Sequence, residues 1–250
     1  MSSLEIIQKS SPNFNERPDG MSADLLLLHY TGMQSGSAAL DWLCTQESNV
    51  SAHYLVEEDG RIFQMVDEDK RAWHAGVASW MGESNINGCS IGIEIVNPGH
   101  EFGYPEFEAA QMDAVEALCA DIVKRRSIAP GRVLAHSDVA PGRKADPGEK
   151  FPWARLAAQG IGLWLEPVPI VKDEGSHDLQ LGDRGDLVAE LQFQLADFGY
   201  GMEVLGRYDV KTQAVVQAFQ RHYRPALVNG IADASTVATL KQLREHSASA

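Results

Sequence analysis

The run Leu25-Leu-Leu-Leu28, closed by His29-Tyr30-Thr31 and Gly32, constrains the fold more than any other stretch of the chain. Four consecutive leucines leave no face for water, so the segment fits a strand buried on both sides and ending at His29, within a sheet that is covered on both faces. Ser90-Ile-Gly-Ile-Glu-Ile-Val-Asn97 predicts a second strand, with Ile91, Ile93 and Ile95 on one face and Gly92 and Glu94 on the other. Between them, Leu40, Leu43 and Cys44 recur at helical spacing behind Ser37, a suitable N-cap. The β-rich runs 52–56 and 61–66 are joined through Asp59-Gly60 and predict a hairpin. Trp73 to Gly88 has no period and reads as a long surface loop. From Pro105, the positions Phe107, Met112, Val115, Leu118, Cys119 and Ile122 trace a helical stripe, and Lys124, Arg125 and Arg126 suit its C-terminus. Arg132 to Ala135 predicts a short strand ending at His136, with Ser137 to Lys150 as a loop. The expected fold class is α/β, a mixed central sheet flanked by helices.

After Leu165 the composition shifts to Glu-Pro-Val-Pro-Ile-Val-Lys-Asp-Glu-Gly-Ser-His-Asp, without a helical period. This places one domain at 1–165, a linker at 166–178 and a second domain at 179–250. The second reads as a small three-helix unit, on the patterns Leu187/Leu191/Leu195, Val215/Val216/Phe219 and Val237/Leu240/Leu243. Asp209 and Asp233 stand at expected helix N-caps.

A chain of 250 residues with 35 acidic and 21 basic side chains, net charge −14, is poorly suited to phosphate backbones or anionic headgroups. Nucleic acid is therefore not an expected partner. The longest apolar runs fall far below the roughly 20 residues of a membrane span. The first 20 residues show no basic n-region, apolar h-region or cleavage site. Cys44, Cys89 and Cys119 are isolated and suggest neither disulfides nor a thiolate metal site.

His29, His136 and Asp146 fall at strand ends or in the adjoining loop. Two imidazoles and a carboxylate suit zinc, leaving a fourth position for a water acidified toward a pKa of about 7. The same residues also read as two ordinary strand-end histidines and an aspartate capping a turn at Asp146-Pro147-Gly148. Glu94, set among isoleucines, needs a partner or a chemical role, since an unpaired carboxylate is costly to bury. A carboxylate facing an activated water can accept its proton and later deliver it to a leaving amine. An exposed face of an edge strand is the alternative. Lys144, two residues before Asp146, would stabilise an oxyanion beside any metal held there, and is otherwise a surface lysine.

Leu25-Leu-Leu-Leu-His29-Tyr-Thr31, Ser51-Ala-His-Tyr-Leu55, Ala72-Trp-His-Ala-Gly76, Ser90-Ile-Gly-Ile-Glu-Ile95 and His136-Ser-Asp-Val-Ala-Pro-Gly-Arg-Lys-Ala-Asp-Pro-Gly148 resemble, in order, the zinc-dependent N-acetylmuramoyl-L-alanine amidases of the type-2 amidase family. Leu181-Gly-Asp-Arg-Gly185, Phe198-Gly-Tyr200, Asn229-Gly230 and the two Asp-x-x-Thr segments are similar to a peptidoglycan-binding domain. The resemblance implies Zn2+ on His29, His136 and Asp146, with Glu94 as general base and acid and Lys144 as oxyanion stabiliser. The implied reaction is hydrolysis of the amide between N-acetylmuramic acid and L-alanine, with peptidoglycan or muropeptides as partners. His53, Trp73, His74, Trp80 and Asn85 fall in the matching hairpin and loop and are expected to line the substrate cleft. His100, His177, His222 and His246 match no catalytic motif and are expected to be solvated or locally hydrogen-bonded. A rival class is the non-catalytic peptidoglycan-recognition protein, which has lost a zinc ligand; here every ligand position is filled. A glycosidase using Glu94 and Asp146 would leave both histidines unexplained. A wall-binding module favours the cell envelope, periplasmic or secreted, by a route that reads no N-terminal signal, over cytoplasmic recycling.

Overall fold

Leu25–Tyr30 forms a strand with hydrogen-bonded neighbours on both sides, as four buried leucines require, in a computed structural model that describes residues 4–171 and 178–247. The strands are β1 (Ile6–Gln8), β2 (Phe14–Glu16), β3 (Leu25–Tyr30), β4 (Tyr54–Val56), β5 (Ile62–Gln64), β6 (Lys70–Ala72), β7 (Ser90–Ile95) and β8 (Val133–Ala135). Six of them form one mixed sheet in the order β1-β5-β4-β7-β3-β8, while β2 and β6 pair separately. The hairpin β4–β5 is antiparallel, whereas β4, β7, β3 and β8 run parallel. In the β3–β7 register His29 lies opposite Glu94, which puts imidazole and carboxylate side by side on one face.

The alternation of β3 and β7 assigns each face its cover. Leu26, Leu28, Ile91, Ile93 and Ile95 pack against Met112, Val115, Leu118, Cys119 and Ile122 of α3 (Ala109–Arg126). This helix opens at Ala109, later than Pro105 suggests. Leu25 and Leu27 face the other way, into a core shared with the C-terminal helices α6 (Asp186–Phe198), α7 (Val210–Tyr223) and α8 (Ala234–Ser247). Burial of this continuous apolar surface, at about 25 cal/mol per Å2, ties the helical unit to the sheet rather than leaving it tethered. Asp209 and Asp233 cap α7 and α8 by accepting from the backbone N–H of Thr212 and Thr236 at 2.9 and 2.7 Å.

Several local expectations are corrected. The first helix, α1 (Gly36–Leu43), is capped by Ser35 and not Ser37, because the Ser35 hydroxyl accepts from Ala38 N–H at 3.2 Å. The stripe of α6 runs through Val188, since Leu187 is 64% exposed and Val188 1%. The loop 73–88 ends in a helical turn, α2 (Ile86–Cys89), and the loop after β8 opens with another, α4 (His136–Val139). A further short helix is α5 (Trp153–Ala157). Residues 172–177 of the expected linker, His177 among them, lie outside the described residues. Cys44, Cys89 and Cys119 are free thiols.

Candidate metal centre and cleft

His29 is the penultimate residue of β3, His136 begins α4 directly after β8, and Asp146 follows in the same loop, so the ends of two neighbouring parallel strands bring the three side chains together. His29 Nδ1, His136 Nδ1 and Asp146 Oδ2 lie 2.9, 3.0 and 3.1 Å apart pairwise, and all three residues are buried. Ser137 N–H donates to the Asp146 carbonyl at 3.0 Å and fixes the loop against α4.

Hydrogen-bond partners on the outer edges of both imidazoles assign their protons. His136 Nε2 faces the Ala75 carbonyl at 3.0 Å, which only accepts, so Nε2 carries a hydrogen and, in that tautomer, Nδ1 turns its lone pair inward. On the other side, the Ser90 hydroxyl donates to the Ile86 carbonyl at 2.6 Å and is left to accept from His74 Nε2 at 3.3 Å. Burial, with His29 and His53 nearby, lowers His74 well below the usual imidazole range and keeps it neutral. Its Nδ1 therefore accepts from His29 Nε2–H at 3.0 Å, and His29 also presents a bare Nδ1. Burial first and His136 second lower His29 to about 4. Asp146 meets both Nδ1 atoms through Oδ2 and, as a carboxylate, can only accept. Three acceptors thus converge with no hydrogen between them, an arrangement that repels itself until a cation is shared among them.

Glu94 stands beside this cluster with its Oε2 sealed from water and without a hydrogen-bond partner. Burial, then the Asp146 charge, raise its carboxyl well above the usual range, against Lys144. His29, His74, Glu94, His136, Lys144 and Asp146 all border one open cleft of about 560 Å3. Lys144 itself is exposed on the rim.

Of the five residues expected along the cleft, the structure places two there. Trp73 borders it, held by Nε1 donating to Asn15 Oδ1 at 2.9 Å, and His74 forms part of its floor. The His74 ring occupies the space over Gly92, where an added Cβ would lie 2.5 Å from its Nδ1, which explains a glycine in the middle of a strand. His53 is fully buried behind His74: its Nδ1 accepts from Gly92 N–H at 2.9 Å, so it serves the backbone of β7. Asn85 caps α2 by accepting from Gly88 N–H at 3.2 Å. Trp80, 2% exposed, packs against Phe198 and Tyr200 of the helical unit, because its large apolar surface fills the core between unit and sheet.

Other residues at the site escape sequence reasoning. Asn87 Oδ1 accepts from the N–H groups of His74 and Ala75 at 3.0 and 2.8 Å and so sets the segment that holds both imidazoles; no local signal marks it. Arg143 borders the cleft and donates to the Ala75 carbonyl at 2.5 Å; it lies within the most specific sequence block. His100 is on the cleft rim between Tyr30 and Glu149. His222 is neither solvated nor locally paired: it is buried and bonded to Asp138 at 2.6 Å.

Fold and site define an α/β protein with a buried His-His-Asp cluster whose three inward atoms could hold a cation, and with the Glu94 carboxyl beside it, opening onto a cleft. The profile of the N-acetylmuramoyl-L-alanine amidases (Amidase_2) matches residues 19–149, and that of a peptidoglycan binding domain (PG_binding_1) matches residues 184–240. The chain belongs to the N-acetylmuramoyl-L-alanine amidase family. It is similar to the N-acetylmuramoyl-L-alanine amidase AmiD of Escherichia coli K12, at 36% identity over 96% of this chain and 90% of that one. It is also similar to the 1,6-anhydro-N-acetylmuramyl-L-alanine amidase AmpD of Haemophilus influenzae, at 34% identity over 59% of this chain and 88% of that one. Among solved structures, AmiD in complex with anhydro-N-acetylmuramic acid-L-Ala-D-gamma-Glu-L-Lys superposes with a TM-score of 0.76 at 34% identity, covering 94% of this chain and 98% of that one. AmpDH3 of Pseudomonas aeruginosa with anhydromuramic pentapeptide gives 0.74 at 30% identity, covering 96% of both chains.

Proposed function

We propose that this protein hydrolyses the amide bond between the lactyl group of N-acetylmuramic acid and the L-alanine of the peptidoglycan stem, with Zn2+ held by His29 Nδ1, His136 Nδ1 and Asp146 Oδ2. The observation that carries the proposal is the convergence of three bare acceptor atoms beside the unpartnered Oε2 of Glu94. The chemistry that a zinc ion supplies when bound there is Lewis acidity, which polarises a carbonyl and lowers the pKa of a water. Glu94, whose carboxyl borders the cleft, takes a proton from the attacking water and returns it to the departing amine nitrogen of L-alanine as the C–N bond breaks. Its raised affinity for protons suits both halves of that transfer. Lys144, whose charge acts on both Glu94 and His29, offers its ammonium to the oxyanion that develops on the former carbonyl. The exposed indole of Trp42 and the half-buried Trp73 flank the cleft and present flat apolar faces to a sugar ring.

The two solved relatives are complexes with anhydromuramyl peptides, so soluble muropeptides are the substrates for the test. Mass spectrometry after incubation with zinc-loaded protein should show free stem peptide beginning with L-alanine, lost on chelation and in Glu94→Ala. Muropeptide that stays bound and uncleaved under every condition would instead make the protein a recognition module. The same reading places the enzyme in the cell envelope, with residues 1–165 as its catalytic part and 179–250 as its wall-polymer part. Finding all the native protein in the cytosol would overturn that placement.

A further inference from the structure

The two metal-ligating residues of the loop after β8 are tied to the C-terminal helices by one buried carboxylate. Asp138, fully buried, lies two residues after His136 on α4. Its Oδ1 accepts from the Tyr200 hydroxyl at 2.8 Å, and its Oδ2 accepts from His222 Nδ1 at 2.6 Å and from Ala135 N–H at 2.9 Å. Tyr200 follows α6 and His222 lies on α7, so two of the three donors come from the helical unit. His222 is in turn clamped between Trp153 and Tyr223, with ring centroids 3.7 and 3.8 Å away. The unit meets the same loop again at Gly142, where an added Cβ would lie 3.1 Å from the Ala214 Cβ of α7.

We infer that Asp138, Tyr200 and His222 are positioning residues for the metal centre, and that the C-terminal helical unit orients the loop bearing His136 and Asp146 in addition to any hold it has on the wall polymer. A module that only anchors needs a linker and a polar contact. Here a carboxyl group that takes three hydrogen bonds sits one half-turn from a metal ligand, inside a continuous apolar core. Without its two donors from the helical unit, Asp138 keeps only Ala135 N–H, and a buried carboxylate so depleted must rotate or admit water. Either response turns α4 and moves His136 Nδ1 relative to His29 and Asp146. Partners bonded directly to a metal ligand are worth about 10–100-fold in metal affinity, and a hub acting through the ligand's own helical turn belongs at the lower end of that range.

This inference rests on the zinc site proposed above, and chelator competition on the full-length chain separates the two. Wild-type protein that takes up no zinc defeats both. If it does bind zinc, Asp138→Ala should weaken the affinity about tenfold, and so should Tyr200→Phe combined with His222→Phe, which keeps the ring stack. Asp138→Asn retains one acceptor oxygen and can donate to the tyrosine hydroxyl, so it should stay within about twofold of wild type. Leu118→Ala, a cavity in α3 on the far face of the sheet, should lower thermal stability and leave zinc affinity unchanged. Should Asp138→Ala fail to fold, the Tyr200/His222 pair carries the test alone. Wild-type zinc affinity in that pair, or an equal loss in Leu118→Ala, would overturn the inference. So would a loss in Asp138→Asn as large as in Asp138→Ala, since the charge rather than the orientation would then matter.

Discussion

Asp138 and Asp146 are both buried, both belong to the loop after β8, and both meet histidine Nδ1 atoms at hydrogen-bond distance. Their surroundings are nonetheless opposite. Around Asp138 each close partner is a donor: a hydroxyl, a backbone N–H and an imidazole N–H. Around Asp146 the neighbouring imidazoles have their hydrogens committed outward, to Ala75 and to His74, and turn lone pairs inward. The first carboxylate is complete and the second calls for a cation. Residue type alone does not distinguish a metal centre from a structural bridge; the balance of donors and acceptors does.

Removing the unmatched carboxylate should break the comparison most severely. Asp146→Ala leaves two imidazoles and an open coordination position, and kcat/KM should fall by at least about a thousandfold together with retained zinc, read by metal analysis after gel filtration. Activity and zinc content at wild-type levels would mean the triad is no metal centre. Glu94→Gln should separate chemistry from binding: kcat falls about 10²–10⁴-fold while zinc content holds, because the amide keeps the shape and loses the proton acceptor. A smaller effect is expected one shell out. His74→Phe preserves the ring over Gly92 and removes the acceptor for His29 Nε2–H, so zinc affinity should drop about tenfold by chelator competition, with kcat restored at saturating zinc. Unchanged affinity in that variant would show that the Ser90–His74 chain does not set the His29 tautomer.

Much of this arrangement is legible in the sequence. The leucines of β3 and the isoleucines of β7 declare their burial by composition and period, and the histidines at the strand ends follow from where each run stops. Asp209 and Asp233 mark helix starts through chemistry confined to four residues. What stays hidden depends on partners distant in the chain. The three-residue strands β1, β2 and β6 have no period of their own and exist because a neighbour offers a free edge. Trp80 has the sequence character of a sugar-binding surface, but Phe198 and Tyr200, more than a hundred residues on, cover it. His222 matches no motif for the same reason, since the carboxylate that gives it a role lies 84 residues earlier. Asn87 and Arg143 act on backbone carbonyl and N–H groups, which leave no trace in side-chain patterns.

A third buried carboxylate, Glu68, extends the comparison to a place with no bearing on the cleft. It follows β5 and accepts from the Tyr54 hydroxyl, from both terminal nitrogens of Arg125 and from Arg126 Nε, all within 2.8 to 2.9 Å, joining the end of α3 to the sheet. Burial pushes its carboxyl up, but the hydrogen bonds from Arg125, Tyr54 and Arg126 prevail and hold it at about 2, below its ordinary 4.5. A carboxyl depressed in the folded state binds fewer protons there than in the unfolded chain. Its stabilisation is therefore complete above about 4.5, fades as pH falls and is gone below about 2. Arg125 is 43% exposed, so solvent screens part of the pairing and the net contribution is about 2 kcal/mol. Glu68→Gln should lower unfolding free energy by that amount near neutrality, with the gap from wild type closing as urea titrations move from pH 4.5 toward 2. Zinc affinity and turnover of the folded variant should match wild type, because this carboxylate, like Asp138, is matched by donors, yet unlike Asp138 it touches no element that carries a ligand. A gap that stays constant through the acid range would mean Glu68 stabilises by packing alone, and the distinction between matched and unmatched carboxylates would then have to rest on the metal centre by itself.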